Sequence, residues 1–354
     1  MFRSLLRAID RFVRLHFLGF TILLLLLGAS SVEPSLGREG MRLGTLVALM
    51  LVGLCFHNFA YVFNDVIDLP VDRTHPDRQD DYLVRGTISV QAALGFSLAQ
   101  IPLALVITWL AGGGLVAMAY LLVGFGFMTV YDLWGKRCPV PPVTDLCQGI
   151  AWGSLAPYAA VVLGHQPNLL TWVGGLHGLG FIFLINGVHG GLRDLDNDLA
   201  RGRLTTASFF GARPASEGKG LPLGLRAFAM SIQLGLIALG LLPLLLDHPR
   251  LDPGLRTAAF VAVGAIELVC LIHMLRVFRW GHPCWGRDFR VHLGLLLVPP
   301  IILFAFHVDL ALALFMLGAT FWPFLFLDIA HQLLDELRSR LGAGSRSRDE
   351  QTRA

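Results

Sequence analysis

Long uncharged apolar runs are the feature that most constrains how this chain can fold. Residues 43–63, 88–131 and 146–188 contain no Asp, Glu, Lys or Arg. A helix needs roughly 20 apolar residues to cross the hydrocarbon core of a bilayer. With 55% hydrophobic and only 15% charged residues, the composition excludes an ordinary soluble domain. The sequence therefore predicts an all-α, polytopic membrane protein embedded in the lipid bilayer.

Turn residues and chain length divide these runs into ten candidate spans. They are residues 17–31, 43–63, two in 88–131 divided at Gly112–Gly114, two in 146–188 divided near 164–168, 227–246, 257–275, 291–306 and 310–327. The last two are short for a full crossing at a rise of 1.5 Å per residue. The prediction is thus a bundle of nine to ten transmembrane helices.

Basic residues predict the orientation of the spans. If the N-terminus is cytoplasmic, 24 of the 28 lysines and arginines fall in inside segments, as the positive-inside rule requires. These residues are spread over many loops, so the net charge of +3 indicates membrane topology and no nucleic-acid partner. We expect one domain over residues 1–341 and a basic disordered tail over residues 342–354.

Two acidic clusters lie at the predicted cytoplasmic ends of apolar runs. The first comprises Asn64, Asp65, Asp68 and Asp72, and the second comprises Asp194 and Asp198. Residues four apart share one stripe of a helix, where like charges repel unless a cation lies between them. Pro70 is predicted to end or kink the helix just before it, so Asp72 is less securely on that stripe.

This pattern indicates a divalent cation and a diphosphate. Mg²⁺ takes one or two carboxylates together with water and phosphate oxygens, so two clusters can hold two ions around one diphosphate. The alternative is that the acids are solvated loop residues, but two clusters on one side with the same spacing favour a site. Nearby basic residues suit phosphate oxygens or mark topology. They are Arg73, Arg78, Lys136, Arg137 and Arg193.

Three motifs in this sequence resemble those of a known protein family. The chain resembles the UbiA superfamily of intramembrane prenyltransferases, whose NDxxDxxxD motif is similar to residues 64–72. A DxxxDxxxG motif followed by threonine matches Asp194, Asp198, Gly202 and Thr205, and a Tyr-x-x-x-x-Lys-Arg pattern matches Tyr131, Lys136 and Arg137. All three motifs occur in the order typical of that family.

The resemblance implies a fold and a set of roles. The helices would surround a central cavity that holds a prenyl diphosphate, a small acceptor and Mg²⁺, in a multi-pass protein of the bacterial inner membrane with its active site facing the cytoplasm. The implied metal ligands are Asn64, Asp65, Asp68, Asp72, Asp194 and Asp198, of which Asp68, Asp194 and Asp198 are the catalytic set. The implied substrate-binding residues are Lys136, Arg137, Tyr131, Arg73, Arg78 and Arg193.

Three functions remain open from the sequence. The first is prenyl transfer to an aromatic or other small acceptor, and the second is cyclisation of the prenyl chain by a terpene cyclase of the same superfamily. The third is an ion-coupled transporter, which would place charges near mid-span. His57 and His189 are either bases on the acceptor side or hydrogen-bonded packing residues. Aromatic candidates for stabilising a prenyl cation are Phe56, Phe59, Tyr61, Phe63 and Trp152.

Overall fold

The computed structural model describes residues 12–36, 41–75, 78–214, 221–248, 250–279 and 285–323, and these are almost entirely helical. The helices are α1 (Leu18–Ser30), α2 (Leu43–Asp72), α3 (Val90–Leu110), α4 (Leu115–Trp134), α5 (Pro141–Gly153), α6 (Leu155–Val162), α7 (Leu169–Ile182), α8 (Leu195–Ala200), α9 (Thr206–Phe209), α10 (Leu223–Leu245), α11 (Pro253–Arg279), α12 (Trp285–Ala305) and α13 (Leu310–Pro323). The basic N-terminal residues 1–11 and the predicted tail 342–354 lie outside the described residues.

Six described helices are long and apolar enough to cross a membrane. They are α2, α3, α4, α7 with its continuation to Arg193, α10 and α11, and three shorter apolar helices cover Leu15–Ser30, Arg290–Ala305 and Leu310–Pro323. The prediction of an all-α membrane bundle is confirmed, whereas the number of nine to ten spans stays a prediction. The outward faces of α3 and α11 are apolar and exposed, with Trp109 and Val261 among them, as expected for helices that contact lipid.

Helix α1 lies at the centre of the bundle. All of its residues are buried, and it packs against α2, α6 and α7. A helix that is apolar on every side belongs in a core rather than at a surface. Glycine makes the closest of these contacts possible, because a Cβ at Gly28 would lie 2.0 Å from the Ala156 carbonyl oxygen of α6.

The predicted end of the helix just before Pro70 is wrong. Helix α2 continues through Pro70 and ends at Asp72. The proline stands in the last turn, where its missing N–H costs one hydrogen bond and few residues follow it to be displaced. Asp72 therefore stays on the helix and lines the same cavity as Asn64 and Asp68.

The end of α7 departs from regular α-helix. A π-helical segment, Phe183–Gly190, follows α7 and leads into a short helical turn at Gly191–Arg193. The chain then bends at Asp194, where α8 begins. Wide turns of this kind recur at functional sites because they change which side chains face inward. Here the segment directs Ile185 and Asn186 into the cavity.

Candidate active site

The described helices enclose a cavity of about 190 Å³. Its wall comes from α1, α2, α4, α5, α12 and the segment that runs from α7 to α9. Acidic and basic side chains line the part formed by the end of α2 and the start of α8. Apolar and aromatic side chains line the rest. One space therefore offers a charged compartment and an adjoining apolar compartment.

The first cluster joins α2 to α4. Asn64 Nδ2 donates to Asp132 Oδ1 at 3.0 Å and to Asp68 Oδ2 at 3.3 Å. Asp68 is buried on the inner face of α2. The amide between two carboxylates fixes their spacing because its two hydrogens point to different acceptors. The i, i+4 stripe predicted for Asn64 and Asp68 is therefore present.

The second cluster lies on the bend between the π-helical segment and α8. The Arg193 guanidinium holds Asp194 with two hydrogen bonds of 2.8 Å each, a two-pronged geometry that favours charge pairs. His75 Nε2 lies 3.7 Å from Asp194 Oδ1. Asp198, one turn further along, is buried and lines the cavity. Asp194 and Asp198 thus present carboxylates from the side opposite α2.

A tight turn after α8 brings the two clusters together. Gly202 adopts a φ of 66°, a left-handed conformation that residues with a Cβ rarely adopt. The chain then folds back so that the Arg203 N–H donates to the Asp198 carbonyl oxygen at 2.9 Å. Arg203 Nη1 consequently lies 3.7 Å from Asp68 Oδ1. The glycine of the second motif therefore positions the loop that connects both clusters.

The donor set fits Mg²⁺ only together with a substrate. Among the described residues, no three His, Cys, Asp or Glu side chains are grouped closely enough to hold a metal ion. Mg²⁺ seldom uses an all-protein cage and takes one or two carboxylates plus water and phosphate oxygens. Asn64 with Asp68, and Asp194 with Asp198, supply hard oxygen atoms of that kind. A diphosphate between the pairs would complete the coordination.

Asp65 faces a different part of the protein from the other residues of its motif. It forms an ion pair with Arg14 and does not line the cavity. Adjacent residues on a helix differ in direction by about 100°, so Asp65 points away from the face that carries Asn64 and Asp68. Asp65 therefore lies apart from the other predicted metal ligands, and its predicted metal ligation stays a prediction. The structure gives it the role of a partner for Arg14.

Arg14 is a cavity residue that the sequence analysis treated only as a topology marker. It has a left-handed φ of 48°, uncommon for a residue with a side chain, and its guanidinium lies 5.3 Å from the centre of the Tyr61 ring. Burial alone lowers the pKa of Arg14, but the facing Asp65 carboxylate raises it above the ordinary value. Arg14 therefore stays charged at the cavity wall.

The remaining predicted substrate-binding residues divide into two groups. Tyr131, Arg78 and Arg193 line the cavity, and Arg78 also pairs with Asp81 at 3.2 Å. Arg73 and Arg137 are exposed and do not line it. The Lys136 side chain lies outside the part of the chain that the structure describes.

Two polar residues of α5 that the sequence analysis missed, Asp145 and Gln148, form a cavity wall together with Trp152. Asp145, Gln148 and Trp152 all line the cavity, and their spacing of three and four residues places them on one helical face. Asp145 accepts a hydrogen bond from Thr206, and Gln148 accepts one from Asn186. The spacing of these residues by three and four, directly after the loop with Lys136 and Arg137, was the sequence pattern that could have indicated this wall. A polar helix face beside an apolar run has many structural explanations, however, so the pattern alone did not identify a site.

Aromatic rings form the adjoining apolar compartment. Tyr61 and Trp152 line the cavity as candidates, and Phe17, Phe20 and Phe181 join them. Phe20 stacks on Phe181 at 4.1 Å between ring centres and lies 5.3 Å from Trp152. The other candidates, Phe56, Phe59 and Phe63, do not line the cavity.

The two histidines beside the motifs are packing residues. Neither His57 nor His189 lines the cavity. His57 is hydrogen-bonded through Nδ1 to Thr21 and through Nε2 to the Val13 carbonyl oxygen. His189 Nε2 lies 2.7 Å from His292 Nδ1. Their hydrogen bonds support the chain around the cavity rather than reach into it.

Comparisons with known proteins agree with this geometry. The model of the UbiA prenyltransferase family matches residues 17–276. A protoheme IX farnesyltransferase of Renibacterium salmoninarum is 29% identical over 127 residues, which is 36% of each chain. A decaprenyl-phosphate phosphoribosyltransferase of Corynebacterium glutamicum is 27% identical over 142 residues, which is 40% of this chain and 42% of the relative. The matches thus span about two fifths of these curated relatives.

Solved structures share the fold over most of their length. An apo UbiA homologue of Aeropyrum pernix superposes with a TM-score of 0.58 at 17% identity, covering 82% of this chain and 96% of the other. A UbiA homologue of Archaeoglobus fulgidus bound to GPP and Mg²⁺ superposes with a TM-score of 0.59 at 17% identity, covering 84% of this chain and 99% of the other. A digeranylgeranylglyceryl phosphate synthase superposes with a TM-score of 0.60 at 16% identity, covering 89% of this chain and 98% of the other.

Proposed function

We propose, from the premise that this chain belongs to the UbiA prenyltransferase family, that it transfers a prenyl group from a prenyl diphosphate to a small acceptor inside the membrane, with Mg²⁺ as its cofactor. One observation carries the proposal. Two acidic clusters from separate helices face each other across a cavity that continues into an aromatic compartment. A charged diphosphate with its Mg²⁺ needs the acidic clusters, and a hydrocarbon tail needs the aromatic compartment.

The charged compartment would bind the diphosphate. We assign Asn64, Asp68 and Asp72 from α2, and Asp194 and Asp198 from the second cluster, as the residues that hold Mg²⁺. Bound there, Mg²⁺ would neutralise the charge that grows on the departing diphosphate. An Archaeoglobus fulgidus relative with this fold holds GPP and Mg²⁺, which supports the assignment.

Basic side chains would complete the anion site. Arg78 and Arg193 line the same compartment, and each guanidinium now pairs with a carboxylate, Asp81 or Asp194. A diphosphate competes for these hydrogen bonds because arginine matches phosphate oxygens in the same two-pronged way as it matches carboxylates. Tyr131 lies beside them, and we keep it as a substrate-binding residue.

The aromatic compartment would take the reacting carbon and the tail. As the C1–O bond of the donor breaks, positive charge develops on the allylic carbon. The faces of Trp152, Tyr61 and Phe20 can stabilise such a cation by about 0.5–2 kcal/mol each. Dry apolar walls keep water from capturing the cation before the acceptor does. The ring cluster therefore serves both the stability and the lifetime of the intermediate.

The orientation follows from the distribution of basic residues. We propose a multi-pass protein of the bacterial inner membrane whose acidic clusters face the cytoplasm, since that is the side of most lysines and arginines. Prenyl diphosphates and Mg²⁺ are both water-soluble ions of the cytosol. The cavity end that carries the acidic clusters would then open towards its charged ligands.

The test is a turnover assay on the purified full chain in lipid nanodiscs. With Mg²⁺ and geranyl diphosphate, diphosphate release should be slow alone and rise sharply when a suitable phenol or quinol is added, with a prenylated product in the organic extract. Fast release without acceptor and a cyclic product would indicate a cyclase. Turnover only with phosphoribosyl diphosphate and a polyprenyl phosphate would contradict prenyl transfer.

A further inference from the structure

His57, on α2, holds the chain on both sides of the Arg14 α-carbon. Its side chain is buried, and Nε2 lies 2.9 Å from the Val13 carbonyl oxygen and 3.2 Å from the Arg14 carbonyl oxygen. Carbonyl oxygens only accept hydrogen bonds, so Nε2 carries the hydrogen that both of them share. Nδ1 lies 3.1 Å from Thr21 Oγ1, whose hydroxyl can donate to it. Both ring nitrogens are therefore used, and together they fix the orientation of the ring.

The two carbonyl groups belong to the peptide planes that flank Arg14. Because each peptide group is planar, the φ and ψ angles of a residue are the rotations between its two flanking planes. Arg14 has a φ of 48° and a ψ of 49°, in the left-handed region that a residue with a Cβ enters only at a cost in free energy. By holding both planes, His57 stabilises a backbone conformation that Arg14 disfavours by itself.

This backbone conformation determines where the Arg14 side chain lies. The guanidinium lines the cavity, and it is 5.3 Å from the centre of the Tyr61 ring. Tyr61 in turn packs on His57, with 4.6 Å between the ring centres. Since the direction of a Cβ is fixed relative to the backbone, a change of φ or ψ at Arg14 would move its side chain. His57 thus supports both the turn that carries Arg14 and the ring that contacts its guanidinium.

Arg14 stands between Asp65 and the charged compartment. It pairs with Asp65, which does not line the cavity, while it lines the cavity itself together with Asn64. Arginine binds phosphate oxygens in the same two-pronged way as it binds carboxylates. A diphosphate bound beside Asn64 would therefore compete with Asp65 for the guanidinium of Arg14.

We infer that His57 is a positioning residue for the prenyl diphosphate, and that it acts through Arg14. The inference rests on the proposed function and adds one arginine to the anion site formed by Arg78 and Arg193. In this arrangement His57 does not touch the substrate. It holds the left-handed turn, the turn directs Arg14 into the cavity, and Arg14 donates to the diphosphate.

The test measures donor affinity in two matched variants, His57→Phe and His177→Phe. Each removes a buried ring nitrogen that contacts a main-chain carbonyl oxygen and keeps a ring in its place. His177 Nε2 lies 2.8 Å from the Leu296 carbonyl oxygen, and His177 does not line the cavity. Geranyl S-thiolodiphosphate, a donor analogue that resists cleavage, is titrated calorimetrically into the full chain with Mg²⁺. His57→Phe should bind it about 10-fold more weakly, as expected for one lost charged hydrogen bond, and His177→Phe should bind it like the wild type.

A double-mutant cycle shows whether His57 acts through Arg14. Arg14→Leu alone should weaken binding of the analogue about 10-fold. Adding His57→Phe to Arg14→Leu should cause no further loss, because the group that His57 positions is then absent. Two independent effects would instead multiply to a loss of about 100-fold.

Two more variants separate positioning from a general effect on the fold. His57→Gln keeps an NH₂ group, whose two hydrogens can reach both carbonyl oxygens, and should bind the analogue within about 2-fold of the wild type. Thr21→Val removes the hydroxyl that orients the ring and keeps the shape of the side chain. It should weaken binding about 3-fold in the wild-type background and not at all in Arg14→Leu.

Several results would overturn the inference. They are wild-type affinity in His57→Phe or in Arg14→Leu, an equal loss in His177→Phe, a loss in His57→Gln as large as in His57→Phe, and multiplied losses in the double variant. If His57→Phe does not fold, Thr21→Val decides the question, and unchanged binding in that variant would overturn the inference. Failure of the wild type to bind the analogue would instead remove the proposed function.

Discussion

Arg203 Nη1 lies 3.7 Å from Asp68 Oδ1, and this contact joins the two acidic clusters. Arg203 follows the positive-φ turn at Gly202, whereas Asp68 stands on α2, so the pair connects segments far apart in sequence. Both side chains are partly shielded from water. Without a diphosphate, the guanidinium offsets the charge of Asp68. Arg203 does not itself line the cavity, and we expect its guanidinium to turn to the phosphate oxygens when a diphosphate binds beside Asp68.

The first prediction concerns that arginine. Arg203→Leu should weaken the binding of geranyl diphosphate in the presence of Mg²⁺ by about 10-fold, because a charged hydrogen bond to phosphate contributes roughly 1.5–3 kcal/mol. Arg201→Leu, at an exposed position outside the cavity, should bind like the wild type. Calorimetric titration measures both. Equal affinity in the two variants would show that Arg203 does not act on the donor.

The second prediction separates the two carboxylates of the first motif. Asp65→Asn removes the charge that holds Arg14, so the protein should be destabilised by about 1–3 kcal/mol. The Mg²⁺ concentration for half-maximal turnover should change by less than about 2-fold, since Asp65 is not a metal ligand in this account, whereas in Asp68→Asn it should rise about 10-fold or more.

Thermal unfolding and Mg²⁺ titrations of activity measure these two effects. The control for the first is Asp196→Asn, because Asp196 is exposed and outside the cavity. A large shift in the Mg²⁺ requirement of Asp65→Asn would return Asp65 to the metal site.

The helices were predictable from the sequence because hydrocarbon thickness and apolar runs determine them. The break between α3 and α4 falls at Gly112–Gly114 as expected, with Gly112 in a left-handed conformation. Pro70 was misjudged because the rule for proline within a helix says little about its last turn. The π-helical segment was not predicted, and it packs against α5, α9, α10 and α12, tertiary contacts that leave no local pattern in the sequence.

The charged part of the site was predictable, but its polar wall was not. Spacing by four predicted the shared stripe of Asn64 and Asp68, because helical geometry alone produces it. Arg14 reaches the cavity through a backbone turn that no local pattern indicates. Asp145 and Gln148 line the cavity because α5 turns them inward, where they contact Thr206 and Asn186. These are tertiary contacts that the sequence does not reveal.

The third prediction concerns orientation. In a variant without native cysteines, Ser89→Cys at the start of α3 should react with a membrane-impermeant maleimide only from the cytoplasmic side. Gly114→Cys, in the turn at the other end of α3 where a Cβ meets nothing within 4 Å, should react only from the opposite side. Labelling of intact cells and of inverted vesicles measures both positions. The reverse pattern would place the acidic clusters outside the cytoplasm.

We expect both acidic clusters to act on one diphosphate through Mg²⁺. Calorimetric titration of geranyl diphosphate into wild type, Asp68→Asn and Asp198→Asn, each with Mg²⁺ and with EDTA, tests it most directly. We expect Mg²⁺-dependent binding in the wild type and a loss of about 10-fold or more in each variant. Binding that is insensitive to EDTA, or unchanged affinity in either variant, would contradict it.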